Sequence, residues 1–327
     1  MNNKFSFKRV TLALMTGLCL SLAWCGAAAA ADFDPGKHLI AVITPSHSNP
    51  FYKTEADTAV AAARKMGYKT SSLVHQGDPD VQLKMIQNAI ADNASAIVLD
   101  NAGSDASVAA VRRARDAGIP VYLIDREINA NGVANAQIVS NNFQCASSVA
   151  QHFAKTAGYK GKWVELFGKS SDTNAHVRSQ GFHSVMDDIP TMKMVAQQSA
   201  NWDQTEGYNV MQSIIQAHSD IAGVLAGNDT MALGAAAALK NAGMSNVPVM
   251  GIDGNPDVVD QIASGGNIRA TGLQQASVMA RMAVQQIDGL LRTGKTDKPE
   301  KQSVNCVLVT EKNADQVLPG GFGMKKK

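Results

Sequence analysis

The sequence predicts an α/β protein of two doubly wound halves, each a parallel sheet with helices on both faces. Three observations carry this. From Leu39 onward, short apolar runs alternate with segments whose apolar residues fall at helical spacing. The runs lack the apolar–polar alternation of a half-exposed strand, so they read as strands buried on both sides. One motif also occurs twice: a helix ending in Ala-Gly, a proline, and a strand running into Ile-Asp. The first copy is Ala117-Gly118-Ile119-Pro120-Val121-Tyr122-Leu123-Ile124-Asp125-Arg126; the second is Ala242-Gly243, a short link, and Pro248-Val249-Met250-Gly251-Ile252-Asp253-Gly254. Ala96-Ile97-Val98-Leu99-Asp100 and Gly223-Val224-Leu225-Ala226-Gly227-Asn228 form an earlier pair. Open α/β sheets bind ligands just past the carboxyl ends of their strands. Two such edges facing each other make a polar cleft.

In chain order, a buried strand is expected over residues 39–44 and a helix over 51–66, with Ala56, Val60, Ala63 and Met66 at helical spacing and Gly67 as its stop. A strand over 70–74 follows, and Asp78-Pro79-Asp80 opens a helix running to Ile90, with proline in its first turn. A strand over 95–99, a helix over 105–117 and a strand over 121–124 complete the first half. The chain crosses near residues 139–142, and residues 170–175 read as a polar loop. Strands over 162–166, 193–196, 221–225 and 248–252 repeat the rhythm, with helices over 177–187, 205–217, 230–241 and 256–264. A strand over 268–273, a helix over 277–291 and a strand over 304–310 end the chain. Right-handed crossovers connect such parallel strands.

Residues 1–31 read as an export signal. Lys4, Lys8 and Arg9 form a basic n-region, residues 10–22 an apolar stretch, and Ala27 to Ala31 a small-residue cleavage site. The stretch is too short, and too soon followed by Asp32-Phe33-Asp34, to read as a membrane span. Cys25 admits lipid attachment, but Trp24 stands before it where lipoprotein processing needs a small residue. Removing the three basic residues of this segment from 30 leaves 27 against 28 acidic ones, so the exported chain is nearly neutral. Nucleic-acid and membrane-surface partners therefore receive no electrostatic support. Lys325-Lys326-Lys327 reads as a solvated tail. Cys145 and Cys306 remain after cleavage, and an oxidising compartment with an even count permits a disulfide.

Catalytic signatures are missing. Gly168-Lys169-Ser170 resembles the end of a phosphate-binding loop, but Trp163 occupies the position of its first glycine. There is no G-x-G-x-x-G after the first strand, no G-x-S-x-G and no H-E-x-x-H, and the seven histidines show no metal-ligand spacing. No cofactor or metal is expected. What remains are polar and aromatic groups at strand ends. Ser46-His47-Ser48-Asn49-Pro50-Phe51-Tyr52 reads either as a turn capping a helix or as an amide and two rings offered to a ligand; rings stack on sugar C–H faces. Asp125 and Arg126 can reach one ligand only if the chain has left the sheet, because neighbouring strand residues face opposite ways. A surface ion pair is the rival role for Arg126. Asp253 lies between Gly251 and Gly254, where an Asx-turn or helix cap is the rival to a ligand contact. Asn228-Asp229 precedes a helix and reads equally as a cap. Arg178 and Trp202 are uninformative singly.

Together these residues resemble the periplasmic sugar-binding proteins of the ribose/galactose type, substrate receptors of ABC importers. The strings that carry the resemblance are Asn49-Pro50-Phe51-Tyr52, Ile124-Asp125-Arg126, Arg178-Ser179-Gln180-Gly181-Phe182, Gly207-Tyr208-Asn209-Val210-Met211-Gln212, Asn228-Asp229-Thr230-Met231-Ala232-Leu233-Gly234 and Gly251-Ile252-Asp253-Gly254. The resemblance implies two lobes joined by a three-segment hinge that close on a sugar. Residues 32–140 plus 275–304 would form the N-terminal lobe, and 141–274 plus 305–327 the C-terminal lobe. It implies sugar contacts from Asn49, Phe51, Tyr52, Asp100, Asp125 and Arg126 of the first lobe. Arg178, Trp202, Asn228 and Asp253 would add those of the second, with Gln274 from a crossing. Asp100 stands where the ribose-type pattern has asparagine, and Tyr52 and Trp202 where it has phenylalanines, so the hydroxyl pattern read differs from that of ribose. Cys145 follows the first crossing and Cys306 the third, where a bridge would pin neighbouring segments without blocking closure.

The function implied is a monomeric, non-enzymatic periplasmic receptor that delivers a pentose, hexose or small polyol to an importer permease in the inner membrane. A role in chemosensing, through a chemoreceptor, is compatible with it. Two other classes compete. A sugar-responsive transcriptional regulator would need a DNA-binding helix-turn-helix where this chain has its export signal. A secreted glycoside hydrolase would pair Asp125 with Asp253 as its two carboxyls, but Arg126 beside Asp125 favours its ionised form and so disfavours it as the acid.

Overall fold

The computed structural model of the protein describes residues 33–325. The export signal and Cys25 lie outside the described residues. In chain order the first half contains β1 (Leu39–Thr44), α1 (Pro50–Lys65), β2 (Lys69–Val74), α2 (Pro79–Ala91), β3 (Ala96–Leu99), α3 (Val108–Asp116), β4 (Val121–Ile124) and β5 (Ala136–Ser140). The second contains α4 (Asn142–Thr156), β6 (Gly161–Phe167), α5 (Thr173–Met186), β7 (Met192–Ser199), α6 (Gln204–Ala217), β8 (Ile221–Ala226), α7 (Asp229–Asn241), β9 (Val249–Asp253), α8 (Pro256–Ala263) and β10 (Ile268–Leu273). Then follow α9 (Ala276–Thr293), β11 (Lys301–Val304) and β12 (Val307–Thr310).

Two six-stranded sheets result, ordered β11-β5-β4-β3-β1-β2 and β12-β10-β9-β8-β6-β7. The orders superimpose strand for strand. Asp125 after β4 and Asp253 at the end of β9 therefore occupy equivalent places, and the doubled Ile-Asp motif is a doubled topological position. The inner strands are apolar because both faces are covered: β3, β4 and β9 are buried throughout. Helix starts are set by side-chain caps. Asn49, Asp78, Asn141, Asp172, Asp203, Asn228 and Asn255 each accept a backbone N–H from the first turn of the helix they precede.

Three features depart from the sequence reading. Residues 136–156, where the sequence reading placed only a crossing near 139–142, form β5 and α4; Cys145, Ala146, Val149, Ala150 and Phe153 give α4 a buried face at helical spacing. The polar loop at 170–175 ends early, because Asp172 caps α5 at Thr173. The strand expected over 304–310 is two strands in different sheets. Among the described residues all sheet pairings are parallel except β10 with β12. The connection explains the exception: β11 runs toward the junction between the sheets, so a chain that passes straight through must run away from it as β12. Cys145 of α4 and Cys306 between β11 and β12 form a disulfide, with Cα atoms 5.3 Å apart.

The chain passes between the sheets after β5, after β10 and between β11 and β12, and α9 returns to pack on α1 of the first lobe. The carboxyl ends of both sheets thereby face one junction.

Candidate functional site

At that junction Phe51, Tyr52, Asp125, Arg126, Asp172, Asn174, Arg178, Trp202, Asn228, Asp253 and Gln274 surround about 220 Å3 of space not filled by protein atoms.

The backbone explains how adjacent residues serve one cavity. β4 ends at Ile124, and Asp125 takes φ 60°, so Asp125 and Arg126 have left the alternating pleat. Trp202 (φ 65°) and Asp253 (φ 149°) are also in conformations that disfavour side-chain-bearing residues. Such positions cost on the order of 1–3 kcal/mol each and cluster at ligand sites. Here they aim three cavity-lining side chains.

Arg126 is buried and shared among carboxylates. Its Nε lies 2.7 Å from Asp172, 3.6 Å from Asp100 and 3.8 Å from Asp125. Nη1 donates to the Asn101 carbonyl at 3.0 Å, Nη2 donates to the Tyr52 hydroxyl, and the guanidinium stands 4.9 Å from the Tyr52 ring centre. Burial opposes its charge, but Asp100, Tyr52, Asp172 and Asp125 outweigh that and raise its pKa.

Arg178 is its counterpart in the second lobe. Nε donates to Asn142 at 2.8 Å, Nη1 donates to the Gly227 carbonyl at 2.9 Å and lies 3.6 Å from Asp253, and the guanidinium stands 5.2 Å from the Trp202 ring. Gln274 donates to Asp253 at 2.8 Å.

Burial pushes Asp125 up to about 6, against the pull of Arg126 and Arg178. It also raises Asp253 well above the usual carboxylate range, opposed by Arg178. Two buried carboxyls thus sit beside two fixed cations, an arrangement that offers both acceptors and donors to sugar hydroxyls. Among the described residues no group of three His, Cys, Asp or Glu could hold a metal ion, and no helix is long and apolar enough to cross a membrane.

Nine of the eleven residues named from the sequence line this space; Asn49 and Asp100 do not. The Asn49 side-chain oxygen is committed to capping α1 through the Phe51 N–H at 3.0 Å, and the residue stands at a neighbouring opening between the lobes. Asp100 is fully buried behind Arg126. Asn228 combines both roles considered for it, lining the cavity while capping α7 through Met231 N–H. Asp229 is structural: it accepts from the Gly254 and Asn255 N–H groups at 2.9 and 2.8 Å and from the Thr271 hydroxyl.

Sequence reasoning missed Asp172 and Asn174. Both cross to the first lobe: Asp172 reaches Arg126, and Asn174 donates to the Asp125 carbonyl at 3.1 Å. Asp172 also accepts from the Trp202 indole at 3.1 Å. Their sequence signal was an Asp cap followed by polar residues one turn before Arg178.

Known proteins share this fold. A family model described as "Periplasmic binding protein domain" matches residues 40–296. The D-apiose import binding protein of Paraburkholderia graminis is 56% identical over 280 residues, covering 86% of this chain and 89% of that one. The ribose import binding protein RbsB of Escherichia coli is 33% identical over 275 residues, covering 84% and 91%. Among solved structures, a periplasmic solute-binding protein of an ABC transporter from Actinobacillus succinogenes with bound D-allose superposes with a TM-score of 0.80 at 26% identity, covering 85% of this chain and 99% of that one. On the extent of the family match and the identity to these relatives, the chain belongs to the periplasmic binding protein family.

Proposed function

We propose that the protein captures a monosaccharide in the periplasm, D-apiose foremost, and hands it unchanged to an ABC importer. One observation carries the reading. Two equivalent strand ends, one from each sheet, each deliver a carboxylate to a single polar space, and a buried guanidinium stands beside each: Arg126 next to Asp125, and Arg178 of α5 next to Asp253. Charged partners make hydrogen bonds to hydroxyls worth about 1.5–3 kcal/mol each, so a few of them with flanking rings support micromolar or tighter binding. A buried Asp left without its hydroxyl is costly, and that cost gives selectivity. D-apiose is favoured over ribose because the D-apiose import binding protein is 56% identical and the ribose protein 33%. Asp125, Arg126, Arg178, Asp253 and Gln274 are the hydroxyl-reading groups in this proposal, and Phe51, Tyr52 and Trp202 supply the rings.

Binding without turnover fits the geometry. Asp253 is engaged by Gln274 and Arg178, and Asp125 by Asn174 and Arg126, as fixed acceptors rather than as a free acid and nucleophile. Titration calorimetry on unfolded, dialysed and refolded protein tests this with D-apiose, D-ribose, D-allose, myo-inositol and glycerol. D-apiose is expected to bind tightest, and ribose at least about tenfold more weakly. Tighter ribose binding would remove the apiose assignment. Heat from none of them would remove the receptor reading.

A further inference from the structure

Behind the cavity lies a closed layer of acids that the proposed function does not use. Glu55 sits on the inner face of α1, one turn after Phe51 and Tyr52, and is fully buried. Both its carboxyl oxygens, and both of Asp100 just after β3, are buried with no hydrogen-bond donor among the described residues. The two carboxyls face one another. Around them stand Tyr52 from α1, Asp125 and Arg126 after β4, and Asp172 from the second lobe. His75 after β2 bonds the Asp100 carbonyl through Nε2 at 2.8 Å. Arg126 already serves Asp100, Asp125 and Asp172, and among the described residues no ion pair reaches Glu55.

Two facing buried carboxylates without donors are not a stable arrangement, since each loses its hydration and repels the other. One proton eases both defects: it removes a charge and supplies a donor between the two carboxyls. We propose that Glu55 is a positioning residue of the sugar site, sharing one proton with Asp100 at neutral pH so that Asp100 keeps a single charge for Arg126. Burial favours this state, raising both acids well above their ordinary range. The ordered partner is Arg126, which lines the cavity directly. Asp100 therefore acts on the ligand through Arg126 rather than by contact. The effect on sugar rests on the receptor reading above; the shared proton does not.

Two variants separate these claims. Glu55→Gln keeps a donor toward Asp100 and cannot ionise; Glu55→Leu keeps the bulk and removes the donor. The shared proton predicts an infrared carbonyl band of a protonated acid in the wild type at pH 7 that the Gln variant lacks. If the two difference spectra match there, the proposal is wrong, whatever the protein binds. For D-apiose followed by calorimetry, Glu55→Gln should bind within about twofold of wild type at pH 7 and Glu55→Leu at least about tenfold more weakly. Wild-type affinity should fall as pH rises and the proton leaves, while that of the Gln variant stays flat. Equal binding by all three proteins, or the same alkaline loss in wild type and the Gln variant, would overturn the positioning role. If no sugar binds the wild type, the receptor reading falls and the positioning role with it, while the infrared band still decides the proton.

Discussion

Asp253 and Arg126 show what single residues contribute. Each is held by neighbours that do not depend on ligand, Asp253 by Gln274 and Arg178, Arg126 by Tyr52, Asn101 and Asp172. Removing either side chain leaves the sheets intact and deletes one charged partner for a hydroxyl. Asp253→Ala and Arg126→Ala are each expected to weaken sugar binding at least about tenfold, roughly 1.4 kcal/mol, with the far-ultraviolet circular dichroism unchanged. Losses below twofold in both would place the ligand elsewhere.

Asp125 adds a pH dependence of its own. Its folded pKa of about 6 lies above the unfolded value, so the folded state holds this proton more tightly. Its contribution to stability is present in acid and is lost as pH rises toward 6. Sugar affinity should move the other way, falling as pH drops through 6 and the acceptor is protonated. Asp229, also at about 6, adds to the stability trend without touching the cavity. Asp125→Asn should flatten the acid limb of the affinity profile and leave the Asp229 share of the stability trend.

At the scale of elements, the C-terminal segment has a role its sequence did not disclose. After β12 the chain turns back at Gly321, and Phe322 N–H donates to the Gly254 carbonyl at 3.0 Å, beside Asp253. A side chain at Gly321 would meet that carbonyl, and its φ of 70° also favours glycine. Phe322 is thereby buried with its ring edge-on to Phe51, centroids 5.5 Å apart. A residue carried by the second lobe thus supports a cavity-lining ring of the first. Phe322→Ala should speed sugar release in stopped-flow measurements several-fold, with a smaller effect on the association rate. An unchanged release rate would mean that the contact only packs the tail.

What was legible follows from the range of each interaction. β1, β3, β4, β8 and β9 announced themselves because strands buried on both faces must be apolar, and Asp125 and Asp253 were legible as the first charges after such runs. α4 was passed over because its buried face begins directly at the crossing, where turn residues Asn141 and Asn142 dominate the pattern. Glu55 reads in sequence as one more polar helix residue. Its surroundings include Asp100 and Arg126, just past β3 and β4 and 45 and 71 residues further on.

For the whole molecule, the contacts between lobes fix a closed arrangement. Arg126 meets Asp172, Asn174 donates to Asp125, Ser104 meets Thr173 at 2.6 Å, and Lys169 donates to the Gly77 carbonyl at 2.9 Å. Most of these are polar groups that water could serve as well in an open state, so they set geometry more than they supply net stability. Asp172 is the exception in placement, because one carboxylate oxygen serves both Arg126 and the Trp202 indole. It ties the guanidinium of one lobe to a ring of the other at the edge of the cavity. A ligand contacting both lobes shifts the population toward closure, and an apparent affinity falls in proportion to the closed fraction that can be reached. Asp172→Ala should therefore weaken sugar binding by about tenfold or more while each lobe stays folded. Small-angle scattering should show the wild type contracting when sugar is added, and the variant contracting only at higher sugar concentration. Full contraction at the wild-type concentration would show that closure does not run through this carboxylate.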